Sequence, residues 1–335
     1  MSKWYLEDGK ESDVVLSTRV RLARNIKDYP FVDKLDTEKR IELNEKIRDV
    51  LLPLDNSLSF IEMQSLSDIQ KISMAERHLI SPEYTRSSVG RALILSEDED
   101  VSIMLNEEDH IRLQVMKSGF DLEEAYKKAD EIDNAISSRL NIAFDERLGY
   151  LTQCITNLGT GMRASIMLHL PALTKQGVIS RLSSTVSKLG LTIRGAYGEG
   201  SSHTGNIYQL SNQITLGISE KEALYNLESI AKQIIEQERN ARKELVENDS
   251  FLDSIWRAYG ILKYTRKISC QEFMELLSLV KVGVSQNILE IENVKLNDLF
   301  VKLQPATLSA RKQENLQSSQ RDLIRAQEIR TALGG

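Results

Sequence analysis

Val101-Ser102-Ile103-Met104-Leu105-Asn106-Glu107-Glu108-Asp109-His110-Ile111-Arg112-Leu113-Gln114-Val115 reads as two strands around a charged bend. On both sides of the bend apolar and polar residues alternate with the two-residue period of a half-buried strand. A bend this short joins antiparallel neighbours, because a parallel pair needs a long crossover. The segment Asn106 to Arg112 packs Glu107, Glu108, Asp109, His110 and Arg112 together beside an apolar core. Carboxylates held there gain by meeting cations. An ordinary charged turn would carry one or two acids, so this density points to a site.

Working outward, further strand patterns lie at Val14 to Leu16, Ser59 to Gln64, Ala92 to Leu95, Ile166 to Leu170, Leu191 to Arg194 and Ile207 to Leu210. Helical periodicity covers Thr37 to Leu51, Leu122 to Leu140, Val178 to Leu189 closed by Gly190, and about Glu220 to Val246 behind a Ser219/Glu222 capping box. Strands do not alternate regularly with helices, and 92–95, 101–105 and 111–115 are joined by short turns. The expectation is an α+β fold, an antiparallel sheet flanked by helices, over residues 1–246. Residues 247–335 are helical in pattern, with candidates at Phe251 to Leu262, Cys270 to Lys281 behind Ser269/Glu272, Leu289 to Leu303 and Ser319 to Leu333. They predict a small all-helical C-terminal domain. The polar, Pro305-containing stretch Gln304 to Ser318 reads as a flexible link between its last two helices.

Composition narrows the function. The chain has 335 residues, 41% of them hydrophobic, enough for a sizeable core. Its net charge of -6 argues against binding nucleic acid through bulk positive charge. The longest apolar run, Ala164 to Leu173, is broken by His169 and Pro171, and the N-terminal residues lack a signal-peptide pattern. A cytoplasmic protein without a membrane span is expected. Only two cysteines, Cys154 and Cys270, and four scattered histidines occur, so neither a disulfide scaffold nor a metal centre is suggested.

Arginine recurs beside glycine or hydroxyl residues in Ser17-Thr18-Arg19-Val20-Arg21, in Arg112, in Gly159-Thr160-Gly161-Met162-Arg163-Ala164-Ser165 and in Arg194-Gly195-Ala196-Tyr197-Gly198-Glu199-Gly200, and Arg24 follows the first closely. On a strand, Arg19 and Arg21 share one side. Permanently charged planar forks on one face suit a polyphosphate. Any one of these arginines alone reads better as surface; their joint appearance with the acid cluster reverses that preference. Gly159 to Ala164 matches a dinucleotide-binding pattern, but Thr152 to Asn157 before it is a poor first strand. No P-loop occurs, nor the motif pair of protein kinases.

Four of these runs, STRVRLARN at 17–25, NEEDHIR at 106–112, GYLTQCITNLGTGMRAS at 149–165 and RGAYGEG at 194–200, together resemble the catalytic domain of the phosphagen kinases. These are ATP:guanidino phosphotransferases. The order and the span, roughly the first 245 residues, make the likeness specific. Within that family the chain is more similar to the bacterial branch that phosphorylates arginine in proteins. Ser17 lies too near the start for the helical N-terminal domain of the small-molecule enzymes, a helical C-terminal part follows, and Arg321-Asp322-Leu323-Ile324-Arg325-Ala326 fits that branch's phosphoarginine-binding element.

The resemblance implies a set of roles. Glu108 would accept the guanidinium proton, Glu199 would clamp the other side, Asp109 would belong to the same network, and Cys154 would set a negative thiolate beside the substrate. Isoleucine stands at 155 where the family carries proline, which frees the backbone and restores an N–H. ATP would be bound by Ser17, Thr18, Arg19, Val20 and Arg21, by His78, Arg112, Arg163, Ala164, Ser165, Ile166 and Met167, and by Arg194, Gly195, Ala196, Tyr197, Gly198 and Glu199, with Mg²⁺ held mainly by phosphates and water. Implied partners are protein substrates with exposed arginines, including a heat-shock repressor, an activator protein, a Clp-type protease, and a second copy in a homodimer. Alternatives are a small-molecule arginine kinase and a non-catalytic phosphoarginine-binding adaptor.

Overall fold

A computed structural model describes residues 3–196 and 204–335. Its main sheet uses β1 (Val15–Arg24), β2 (Leu58–Glu62), β3 (Ala92–Ser96), β4 (Val101–Leu105), β5 (Ile111–Ser118), β8 (Met162–His169), β9 (Leu191–Gly195) and β10 (Ile207–Asn212), while β6 (Phe144–Asp145) and β7 (Gly149–Tyr150) make a separate small hairpin. The order in the eight-stranded sheet is β2-β3-β4-β5-β1-β8-β10-β9. All of its pairings are antiparallel, in line with the short turns that join β3, β4 and β5.

The two faces of this sheet differ, and the difference is written in strand parity. Val20 and Leu22 of β1, Leu113 and Val115 of β5, Ala164, Ile166 and Leu168 of β8 and Leu210 of β10 point to one side, where they form the main core. The helices α1 (Thr37–Leu51), α3 (Leu122–Ser137), α5 (Ile179–Lys188) and α6 (Glu220–Val246) cover that side. Arg24 follows the same parity. It is 1% exposed, donates to Asp133 of α3 at 2.7–3.0 Å, and lies 3.4 Å from the Tyr150 ring. Its proximity to Arg21 in sequence therefore says nothing of a shared role.

Among the described residues, the opposite face is covered at its two ends. At one end α2 (Asp68–Glu76) and the segment after it bring Met74, Leu79 and Tyr84 onto Leu93, Leu95 and Met104. At the other, α7 (Asp249–Tyr264), α8 (Cys270–Ser285), α9 (Asn293–Lys302), α10 (Pro305–Lys312) and α11 (Ser318–Leu333) build a second core that takes in Leu16, Met116, Met167 and Ile207 from the sheet. Between these apolar platforms the face carries polar side chains.

Several boundaries have identifiable causes. Asp36 accepts from Lys39 N at 2.8 Å to start α1, and the Ser219/Glu222 capping box that starts α6 forms in both directions. Ser269 makes only the forward bond, from Glu272 N at 3.1 Å. Asn248 caps α7, so the helical chain breaks between α6 and α7. Two segments depart from the sequence expectation. The stretch 304–318 is not a flexible link, since Pro305 opens α10 at a first-turn position where a missing N–H costs nothing. Its burial rests on Leu308, Thr307 and Ser309, too few apolar residues to stand out in a polar run. The helix α2 is also absent from the expected set, although Ser67 and Gln70 form a complete capping box. The short α4 (Pro171–Lys175), likewise unexpected, begins at the proline that interrupts the longest apolar run.

Candidate active site

The cavity on the polar face has a volume of about 450 Å³ and is lined by Arg19, Arg21 and Arg112 with Gln114, Gln209, His78, Ser81 and Glu76. Register explains the grouping. Arg21 pairs with Arg163 and Gln114, Ala23 with Arg112, and Gln209 with both Met167 and Arg194. Arg19, Arg21, Arg112, Arg163 and Arg194 thus share one sheet face. Ser17, Thr18, Val20, Ala164 and Ile166 are buried in the strands; Thr18 donates to Gly119 O at 2.7 Å, and Val20, Ala164 and Ile166 are 0% exposed in the main core. By parity Thr18, Val20, Ala164 and Ile166 point to the core side and support the strands, whereas Ser17 is buried on the same face as Arg19. Ser165 does face it, accepting from Arg19 Nε at 3.4 Å, and Met167 packs against the helical side.

Crowding these cations has an electrostatic cost. Burial, then Arg112 and Arg163, brings Arg19 down to about 10, and burial with Arg19, Arg112 and Arg163 lowers Arg21 well below its usual value against the opposing pull of Glu107. Arg163 is lowered by burial, Arg194 and Arg112, while Cys154 and Glu108 act the other way. His78, which follows α2 in the left-handed conformation with φ 61°, is pushed by burial and by Arg19 and Arg21 to about 3, so its imidazole is neutral. A polyanion would relieve this repulsion, since each arginine fork can hold two oxygens.

The acid-rich bend resolves into separate jobs. Asn106 is fully buried with φ 59°, and its amide donates to Asn44 Oδ1 at 2.8 Å and to Gly90 O at 3.1 Å. His110 accepts from Ile26 N at Nδ1 and meets Pro30 O at Nε2, which fixes its neutral tautomer with the proton on Nε2. Asp109, 2% exposed, accepts from Asn25 Nδ2 at 2.6 Å and from Gln153 N at 2.8 Å. Burial raises its pKa against those two donors. Asp109 therefore ties the bend to the segment that carries Cys154, which is a positioning role. Glu107 accepts from Ser81 Oγ at 2.6 Å and from Arg112 at 2.7 Å. Burial acts to raise its pKa, but Arg112 and Ser81 outweigh it and hold the carboxyl below its usual range. Glu108 remains. It is half-buried, and among the described residues no donor engages its carboxylate.

Cys154 is half-exposed, with Sγ 3.0 Å from Thr156 Oγ1, and Ile155 beside it is 83% exposed. Gly159 and Gly161, part of the dinucleotide-like pattern, have φ of 106° and 61°. A Cβ on Gly159 would lie 2.1 Å from Thr215 O, so this glycine serves close packing of two loops. Arg194 is exposed, Gly195 ends β9, and Ala196 after it lines the cavity. Tyr197, Gly198 and Glu199 lie outside the described residues. Gln114, Gln209, Ser81 and Glu76 are not among the residues that the sequence singles out. For Gln114 a signal exists, two residues from Arg112 on one strand; for Glu76 there is none. Among the described residues no group of three or more His, Cys, Asp or Glu comes together to hold a metal, and no helix is long and apolar enough to cross a membrane.

In the C-terminal helices, Arg321 and Arg325 differ more than their i, i+4 spacing suggests. Arg321 is half-buried and donates to Leu316 O at 2.6 Å. Arg325 is 1% exposed and donates to Leu303 O, Ile268 O and Asp322 at 2.8–3.1 Å. Ala326 is in the core and Leu323 is exposed.

An arginine-lined sheet face bordered by a carboxylate that no described donor engages suits transfer of a phosphoryl group to a guanidino nitrogen, and comparison with known proteins gives that class. The sequence model of the ATP:guanido phosphotransferase C-terminal catalytic domain matches residues 42–241, and that of the Protein-arginine kinase McsB C-terminal domain matches residues 248–335. A protein-arginine kinase of Halothermothrix orenii is 41% identical over 99% of this chain and 97% of its own length. One from Brevibacillus brevis is 44% identical over 99% and 95%. Among solved structures, the duplicated taurocyamine kinase from Schistosoma mansoni with bound transition state analog components superposes with TM-score 0.61 at 31% identity, over 70% of this chain and 33% of that one. Lombricine kinase gives TM-score 0.61 at 26% identity, over 69% and 68%. The chain belongs to the ATP:guanido phosphotransferase family, in its protein-arginine kinase branch.

Proposed function

We propose that this chain transfers the γ-phosphate of ATP to arginine side chains of proteins. The observation that carries this reading is a sheet face holding Arg19, Arg21, Arg112 and Arg163, with Glu108, which no described donor engages, and Cys154 both near enough to act electrostatically on Arg163. A guanidinium is a poor nucleophile, because its charge is delocalised and its pKa exceeds 12. Transfer to its nitrogen needs a base and strict alignment. Glu108 accepts the proton as the N–P bond forms and the bond from the γ-phosphorus to the leaving ADP oxygen breaks, Glu199 holds the far side of the guanidinium, and the Cys154 sulfur helps to orient it. The arginines bind the triphosphate and the charge that spreads over the transferring phosphoryl group. Mg²⁺ held by phosphates and water would supply further neutralisation of that charge. A cage of protein carboxylates is not required for this, and the arginine-rich lining suits a metal held by its ligand.

The same reading extends to organisation and partners. Residues 1–246 form the catalytic part and 247–335 the part that dimerises and binds phosphoarginine through Arg321 to Ala326. The protein works in the cytoplasm without binding nucleic acid or membrane. It marks proteins with exposed arginines, a heat-shock repressor among them, for stress response and quality control, together with an activator protein and a Clp-type protease.

The test is incubation with Mg-ATP and either an arginine-rich unfolded protein or free arginine, with acid-labile N-phosphate detected by mass spectrometry under non-acidic handling. Phosphoarginine on the protein and not on the free amino acid is expected. The reverse makes the chain a small-molecule arginine kinase, and nucleotide binding without either product makes it an adaptor.

A further inference from the structure

We propose that Glu76 is a positioning residue that couples the C-terminal helices to the nucleotide cavity, an inference that rests on that cavity binding ATP. Glu76 ends α2 and lines the cavity, yet its carboxylate is turned to α10. Oε1 accepts from Ala306 N at 2.9 Å, and Oε2 accepts from Thr307 N at 2.7 Å and Thr307 Oγ1 at 2.8 Å. Ser73, one turn earlier on α2, donates to Thr307 Oγ1 at 3.2 Å. A side chain of one region thereby supplies the N-terminal cap of a helix in another. Gln304, the residue at the cap position of α10, makes no side-chain cap bond of its own. The donors of a helix's first turn need such a partner, and a carboxylate also meets the positive end of the helix dipole.

The link continues in both directions. Two residues after Glu76, His78 sits in its left-handed turn on the cavity wall, with its carbonyl accepting from Gln114 Nε2 at 2.6 Å. Leu303, directly before the α10 cap, gives its carbonyl to Arg325 of α11 at 3.1 Å. Any change that draws Arg325 from Leu303 loosens the junction from which α10 starts. Through Glu76 it moves the end of α2 and hence His78. The route is a chain of direct contacts, Arg325 to Leu303, α10 to Glu76, α2 to His78.

Glu76→Gln keeps the size of the side chain but sets an amide against a backbone donor. The expected result is a KM for ATP raised roughly ten-fold with kcat changed less than about three-fold, the loss of one charge-assisted bond being expressed in binding. Thr307→Val, which removes a single hydroxyl, should raise KM by about two-fold and serves if the first variant does not fold. Arg325→Lys, combined with either substitution, completes a double-mutant cycle on the ATP dissociation constant. Non-additive effects support the coupling. Additive effects, or an unchanged KM in both Glu76→Gln and Thr307→Val, overturn it. A wild-type protein that binds no ATP would instead remove the reading of the cavity.

Discussion

The cavity and the joint between α6 and α8 use the same residue types to opposite ends. Each gathers arginine, histidine and glutamate in a half-buried or buried setting. At the joint, Arg242 and Glu238 are 0% exposed and neither has a polar side-chain atom without a partner. Arg242 donates to Glu238, to Asp13 O and to His169 O at 2.7–2.8 Å, and Glu238 also accepts from Ala172 N and Leu173 N. In the cavity, Arg21 Nε has no hydrogen-bond partner among the described residues, and on the nearby bend no described donor reaches the Glu108 carboxylate. Saturated charge holds a structure together. Charge left partly unmatched is held ready for something else.

That comparison can be broken in order of effect. Glu108→Gln should lower kcat by roughly a hundred- to ten-thousand-fold, the range for losing a general base, with ATP binding retained. Turnover near wild type in a phosphotransfer assay would remove the base assignment. Arg242→Ala should cost about 3–5 kcal/mol in urea unfolding, because Glu238 is left buried and unpaired. Arg21→Ala should do the reverse, leaving stability within about 1 kcal/mol while weakening ATP binding by roughly ten- to a hundred-fold, as read by calorimetry. If it unfolds the protein as Arg242→Ala does, the two regions are not different in kind.

The smallest effect is a matter of pH. Lys281 at the joint is brought down to about 7 by burial and by Arg242, while Asp8 and Asp13 oppose this, and it donates to Asn293 and Asn297 at 2.7–2.9 Å. An unfolded lysine titrates near 10.4, so between these values the unfolded chain binds the extra proton. Stability therefore rises as pH is raised from about 7, by up to roughly 2 kcal/mol toward pH 9. Lys281→Met should flatten that rise in urea midpoints measured across the window. An equal slope in the variant would assign it to another group.

Strand parity makes much of this legible in the sequence. Arg19 and Arg21 alternate with Val20 and Leu22, and so the active face and the core face separate by counting. The antiparallel order of β3, β4 and β5 follows from short turns. Which acid of the bend is free does not follow from the sequence. That depends on Asn25, Ser81 and Gln153, which are remote along the chain and come together only when β1, the segment after α2 and the Cys154 loop meet. The same limit hides α10, whose cap lies about 230 residues away, at Glu76. It also makes Arg321 and Arg325 look equivalent, since only packing against Leu303 and Ile268 buries the second.

The recessed setting of the arginine face bears on how ligands arrive. The chain carries a net charge of -6, so at distances beyond the Debye length of roughly 8 Å it neither draws anions in nor attracts a polyanionic chain. Only within the mouth, where the apolar platforms at either end of the sheet face act as low-dielectric walls, is the positive field concentrated. A small nucleotide fits that basin, whereas an extended polyanion also meets the chain's net negative charge outside it. Ionic strength then acts on the two encounters with opposite sign, slowing capture of the nucleotide and easing the approach of extended polyanions.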